Sequence, residues 1–150
     1  MRLFFAVIFT SLFSLTVKAQ MAEPVKWTFN AEKITNTEFK LTLTATIQDG
    51  WYVYSQDLPA KGPIPTQIKF EQNPNFVLEG KPQELGERKE IFDQNFNMTV
   101  IKLIGKTEYV QRVKIVNGTP SVKGKLTYMT CNGELCMPPK KIDFNIVLNN

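Results

Sequence analysis

Two cysteines, Cys131 and Cys136, stand on either side of an Asn132-Gly133 turn, within Tyr128-Met129-Thr130-Cys131-Asn132-Gly133-Glu134-Leu135-Cys136-Met137-Pro138-Pro139. They are the only cysteines of the chain. Thiols on the two arms of one tight turn can form a disulfide, but that bridge closes very little chain. In the chain-entropy description, so short a loop constrains the unfolded state by only about 2 kcal/mol. The chemistry open to such a pair is thiol–disulfide exchange. One thiolate attacks a disulfide sulfur, and a neighbouring thiol then displaces the mixed disulfide.

The rest of the composition removes most rival chemistries. The 150 residues include no histidine, so Ser-His-Asp and Cys-His arrangements and imidazole metal sites cannot be built. Two thiolates alone do not complete a tetrahedral zinc site. The carboxylates are scattered, and there is no Gly-rich phosphate loop or nucleotide fingerprint. No metal and no cofactor is therefore expected. Lysines are dispersed among acids without a basic stripe, which argues against nucleic-acid binding.

The N-terminus reads as an export signal. Met1-Arg2 supplies the positive start, Leu3 to Val17 the apolar run, and Val17-Lys18-Ala19 the small residues of a cleavage site after Ala19. Residues 1–19 are thus expected to be removed, and residues 20–150 to form one domain. Without Arg2 and Lys18 the formal net charge falls from +4 to +2. No later stretch is apolar for long enough to cross a bilayer. The expected location is periplasmic or secreted, where disulfides persist.

The elements that must position the thiols read as β throughout. Phe39 to Ile47 alternates apolar and polar residues at period two, as a half-buried strand does. Shorter segments of the same kind are Val25 to Phe29, Trp51 to Tyr54, Gln67 to Phe70, Met98 to Ile104, Tyr109 to Val116, Lys125 to Thr130 and Ile142 to Leu148. Asp49-Gly50, Asn117-Gly118 and Asn132-Gly133 are turn dipeptides between them. Pro59 to Pro65 and Asn73 to Gly86 are expected as long surface loops. Roughly seven to nine short strands of this kind predict an all-β, immunoglobulin-like sandwich. Both cysteines fall at the tip of one hairpin with Lys125 to Thr130 as an arm. Pro138-Pro139, unable to donate to a ladder, marks an edge and places the thiols near the surface.

The bridge has a plain structural reading, a staple pinning its turn, and this stays open from residue types alone. Three features favour reactivity: the small closed loop, the nearby Lys140 and Lys141, which can lower a thiol pKa although Glu134 opposes them, and a domain large enough to fold unaided. Trp51, Tyr52 and Tyr54 follow the Asp49-Gly50 turn and serve as packing or as a binding surface. Phe92 and Phe96 lie in Glu90-Ile91-Phe92-Asp93-Gln94-Asn95-Phe96, which lacks clear alternation and reads as a loop covering something.

Tyr128-x-x-Cys131 followed by Cys136-x-Pro138-Pro139 resembles the redox hairpin in the N-terminal domain of the DsbD family, thiol:disulfide interchange reductases of the bacterial envelope. Asp49-Gly50-Trp51-Tyr52-Val53-Tyr54 is similar to the aromatic strand beside that family's active site. The resemblance implies a domain whose cysteines cycle between dithiol and disulfide, with Cys136 attacking and Cys131 resolving. It implies Tyr52, Tyr54 and Tyr128 around the site and a cap loop at about Glu90 to Phe96, with Phe92 the preferred cap residue and Phe96 the second. A thioredoxin-like or membrane-embedded reductant would donate electrons, and oxidised envelope proteins would accept them. Because the sequence ends at Asn150 without a membrane segment or thioredoxin-like domain, the donor is expected to be a separate protein. The alternative expectations are a non-enzymatic β-sandwich binding a partner or glycan through Trp51, Tyr52 and Phe92, with a structural bridge, and an envelope assembly chaperone.

Overall fold

The computed structural model describes residues 23–59, 61–118 and 121–148; the expected signal segment lies outside them. Nine strands follow in order: β1 (Val25–Lys33), β2 (Glu38–Ile47), β3 (Tyr52–Tyr54), β4 (Gln67–Phe70), β5 (Phe76–Asp93), β6 (Met98–Ile115), β7 (Ser121–Tyr128), β8 (Thr130–Cys131) and β9 (Lys140–Val147). The larger sheet runs β1-β2-β6-β3-β8, with β5 paired to β6; the smaller runs β4-β7-β9. All named pairings are antiparallel. The domain is an all-β, immunoglobulin-like sandwich, as the alternation and turn spacing predict.

The core between the sheets follows from period two. On β2, Phe39, Leu41, Leu43, Ala45 and Ile47 all face inward; on β7, Val122, Leu126 and Tyr128 do so, and on β9, Phe144 and Ile146. Aromatic pairs tie the layers together. Trp27 of β1 packs 5.4 Å from Tyr128, and Phe29 stacks on Phe144 at 5.3 Å. Gly124 of β7 is a steric necessity, because a Cβ there would come within 2.4 Å of Phe144 and 2.6 Å of the Lys69 carbonyl oxygen.

Three sequence expectations need correction. Asn73 to Gly86 is not a surface loop; most of it belongs to β5, an 18-residue strand. The strand was invisible because it is an edge exposed on both faces along most of its length, so no apolar alternation marks it. Met98 to Ile104 and Tyr109 to Val116 are not two strands but parts of β6, which changes partner from β3 to β2 without ending. Lys125 to Thr130 is broken at Met129, and the break matters most. Up to Tyr128 the chain pairs with β9 in the smaller sheet; from Thr130 it pairs with β3 in the larger one. The hairpin tip thus crosses from one layer to the other and carries Cys131 with it.

Replacing Gly124 by Ala should lower stability by about 1 to 3 kcal/mol through overpacking. Urea unfolding is the check: a lower midpoint with unchanged slope is expected, and an unchanged midpoint would mean that the Phe144 ring and the Lys69 carbonyl yield without strain.

Candidate functional site

Antiparallel partners share a face of a sheet, so register decides which side chains meet. On β3, Val53 partners Leu103, and both enter the main core. Tyr52 and Tyr54 therefore point to the opposite face. There Tyr52 partners Cys131 and Tyr54 partners Lys102. Along β6 the same face carries Met98, Val100, Lys102 and Ile104. A second, smaller apolar cluster results: Tyr52, Tyr54, Val100 and Cys131, with Leu58, Phe96, Met98, Ile104, Met129 and Cys136 packed around them.

Cys131 and Cys136 form a disulfide with S–S 2.05 Å. Their backbones make an isolated antiparallel bridge, and Asn132 closes the turn by donating its N–H to the Leu135 carbonyl at 3.0 Å. The Asn132 side-chain oxygen also accepts the N–H groups of Glu134 and Leu135. This is why Asn-Gly suits the position: Asn caps the turn, and Gly133 takes a φ of +98°. Thr130 fastens the arm by donating its hydroxyl to the Tyr52 carbonyl at 2.8 Å. The two sulfurs are not equivalent. Cys131 is 0% exposed, against the expectation that both thiols lie near the surface, whereas Cys136 is partly exposed.

Behind Cys131 lies a polar array that sequence reasoning missed. The Tyr54 hydroxyl sits 3.6 Å from Cys131 Sγ and donates to Asp93 Oδ2 at 3.0 Å. Lys102 Nζ lies 2.9 Å from the same oxygen and 4.0 Å from the centre of the Tyr52 ring. Asp93 Oδ1 accepts the Asn95 N–H at 3.0 Å and so fixes the β5–β6 turn. Burial alone would raise the Asp93 pKa, but hydrogen bonds from Lys102 and Tyr54, with the Lys102 charge and the Asn95 N–H, carry it below its usual value. Burial would lower that of Lys102, and Tyr52 and Asp93 reverse the shift. Tyr54 is pushed well up, by burial first and then by Tyr52 and the Asp93 carboxylate, so it stays a protonated phenol. One signal in the sequence marks the array: Lys102 interrupts the otherwise apolar row Met98, Val100, Ile104 at period two.

The other expected residues separate. Phe96 packs edge-on against Tyr54, with ring centres 6.0 Å apart. Phe92 is 56% exposed and lies outside the cluster. Glu90 to Asp93 is the end of β5, so what covers Tyr54 is the tip of the β5–β6 hairpin. Tyr128 turns into the main core. Trp51 also packs there, so Trp51, Tyr52 and Phe92 do not share one surface. Lys140 is held by Glu23 at 2.7 Å. Among the described residues no cluster suited to a metal ion occurs.

A profile of the family described as "Thiol:disulfide interchange protein DsbD, N-terminal" matches residues 17–148. The chain belongs to this family. A search of curated proteins gives no match. Among solved structures, the reduced DsbD N-terminal domain of Neisseria meningitidis is similar, with 21% identity over 83% of this chain and 86% of that one and a TM-score of 0.52. The N-terminal periplasmic domain of ScsB from Proteus mirabilis has a TM-score of 0.58 and 17% identity over 85% of this chain. This chain spans 47% of that one, about half its length. The DsbD N-terminal domain of Neisseria meningitidis in complex with the PilB N-terminal domain matches with 17% identity, TM-score 0.52 and 82% coverage of both chains. Membership of the DsbD N-terminal family makes this a thiol:disulfide interchange domain, with Cys131 and Cys136 as its one cysteine pair.

The lowered Asp93 pKa fixes the sign of an acid effect. Stability from the ionised carboxylate is complete above the unfolded-state value of 3.8 and drains as pH falls through the folded-state one. Melting temperatures of the protein and its Asp93→Asn variant should keep their full difference near neutrality and begin to converge only as pH falls below about 4. A gap constant down to acid pH would show that Asp93 carries no shifted ionisation.

Proposed function

We propose that this domain relays electrons between envelope proteins, as a protein-disulfide reductase module in the bacterial periplasm. The observation that carries the reading is the asymmetry of the pair. An incoming protein can reach Cys136 at the hairpin tip, while Cys131 lies behind Tyr54 and Met129. Exchange needs one accessible nucleophile and one protected thiol close enough to displace the mixed disulfide. Cys136 is the attacking sulfur and Cys131 the resolving one.

The donor in this reading is a thioredoxin-like or membrane-embedded dithiol, and the acceptors are oxidised proteins outside the cytoplasm. Leu135, 56% exposed between the cysteines, offers an apolar contact beside the reactive sulfur. Residues 1–19 direct export. Phe96, not Phe92, serves as the cap, with Tyr52 and Tyr54 as the wall it closes against. Tyr128 supports the arm from the core side.

A Cys131→Ser variant should accumulate a mixed disulfide with a thioredoxin-like protein through Cys136, whereas Cys136→Ser should not, because its remaining thiol is buried. Non-reducing electrophoresis and peptide mass mapping read the result. Equal trapping by both variants would overturn the assignment of roles, and a native pair inert to reduced thioredoxin-like protein would leave only a structural bridge.

The cap has its own measurement. Phe96→Ala should speed reduction of the disulfide by dithiothreitol several-fold, while Phe92→Ala should leave the rate unchanged. The reverse pattern would return the cap to Phe92.

A further inference from the structure

Asp93 and Lys102 form the one ion pair among the described residues in which both side chains are largely buried, at 2% and 14% exposure. Their desolvation costs several kcal/mol per ion, and apolar residues of similar size often stabilise such a position as well. Stability alone therefore does not single the pair out. What distinguishes it is placement, since its shared oxygen holds the hydroxyl that touches Cys131 Sγ.

We propose that Lys102 is a positioning residue for the resolving step: by pairing with Asp93 it commits the Tyr54 hydroxyl proton to the carboxylate and leaves the phenolic oxygen open to accept the proton of the Cys131 thiol. The inference rests on the exchange reaction proposed above and adds the path of its proton.

The groups around the carboxylate come from every neighbouring element: Tyr54 and Tyr52 from β3, Lys102 from β6, the Asn95 N–H from the turn and Cys131 from β8. Lys89 of β5 is the cross-strand partner of Lys102, and its ammonium lies 3.3 Å from Glu87 instead. Among the described residues Asp93 is thus the one carboxylate hydrogen-bonded to the Tyr54 hydroxyl, and it is held ionised.

The reaction balances with a protein disulfide as oxidant. The Cys136 thiolate attacks one sulfur of the partner, forming a mixed disulfide and releasing the first partner thiolate. The Cys131 thiol then passes its proton to the Tyr54 oxygen while Tyr54 passes its own to Asp93, so the phenol is neutral before and after. The Cys131 thiolate attacks Cys136 Sγ, closes the internal disulfide and releases the second partner thiolate. Two electrons have moved to the partner, and the proton on Asp93 leaves for a departing thiolate or solvent. Without Lys102, burial drives Asp93 toward its neutral form. The carboxylate then loses the hydrogen bond and the charge that chiefly oppose its burial, and is held ionised less firmly.

The test uses oxidised glutathione as the partner disulfide and the reduced mature protein, quenching by alkylation and weighing the products. Formation of the Cys136–glutathione adduct is measured in a Cys131→Ser background, and its resolution in the two-cysteine protein. Lys102→Met should leave formation within about twofold. It should slow resolution at pH 7 by roughly 100-fold, the lower end of what a positioned proton acceptor contributes. The lost rate should return as pH rises and Asp93 ionises, and Lys102→Arg should restore it at neutral pH. The charge-free double variant Lys102→Met/Asp93→Asn, which leaves no buried unpaired carboxylate, should resolve slowly with no recovery over the same pH range. Equal slowing of formation and resolution, or a Lys102→Met profile parallel to that of the parent, would overturn the role of Lys102. Absence of any adduct in the Cys131→Ser background would overturn the exchange reading itself, a different failure.

Discussion

The site depends on one backbone constraint, the change of sheet at Met129. A continuous strand from Ser121 to Cys131 would stay in the smaller sheet beside β9, with Cys131 at its open end. Instead Tyr128 keeps its place against Trp27 while Thr130 pairs with Val53. The crossing is held by the Thr130 hydroxyl on the Tyr52 carbonyl and by the Met137 N–H on the Thr130 carbonyl at 2.9 Å. Two residues of pairing suffice because the Tyr128–Lys140 register of the long β7–β9 hairpin already fixes where the tip can go. The prolines after Cys136 agree with this: they donate no ladder bond, and β9 begins only at Lys140.

The same crossing makes the cysteines unequal. Cys131 lies on the arm that joins the larger sheet and is fully buried, whereas Cys136 lies on the other arm and is only partly so. Cys131 is then read by whatever lies on the outer face of β3, and Tyr54 is the residue that register places there. The hairpin tip of β5 and β6 completes the enclosure. Asp93 joins the two tasks, since one carboxylate oxygen holds the tip's turn and the other holds Tyr54. Asp93 thus links the turn at the tip to the surroundings of the buried sulfur. Glu84, midway along the same strand, accepts the Ser55 hydroxyl at 2.7 Å and the Gln56 N–H at 2.9 Å, just beyond Tyr54.

Local rules expose some of this in the sequence and hide the rest. Alternation on β2 and the Asp49-Gly50 and Asn132-Gly133 turns are read directly, because burial on one face and positive φ each act on adjacent residues. The cysteine pair and the tyrosines at period two are legible for the same reason. β5 is not, because an edge strand exposed on both faces leaves no periodic mark and forms only through its long partner β6. That Phe96 packs on Tyr54 while Phe92 is exposed is likewise a matter of register. Pairing of Phe92 with Thr99 turns its ring away from the Asp93–Met98 face, and that pairing is set by a turn which Asp93 itself stabilises.

Lys102 is the instructive intermediate case. A lysine in an apolar row departs from the pattern its neighbours obey, and such departures mark either an edge exposed to water or a site where charge is used. Sequence cannot separate the two, because the deciding partner, Asp93, lies nine residues away across a turn read as a loop. Folding brings Lys102 inside, with its ammonium between a carboxylate and an aromatic face. The burial of that charge and the burial of Cys131 have the same origin, since β3 lies between β6 and β8 and presents both tyrosines to one face. A strand of three residues thus connects the buried sulfur on one side to the buried ion pair on the other.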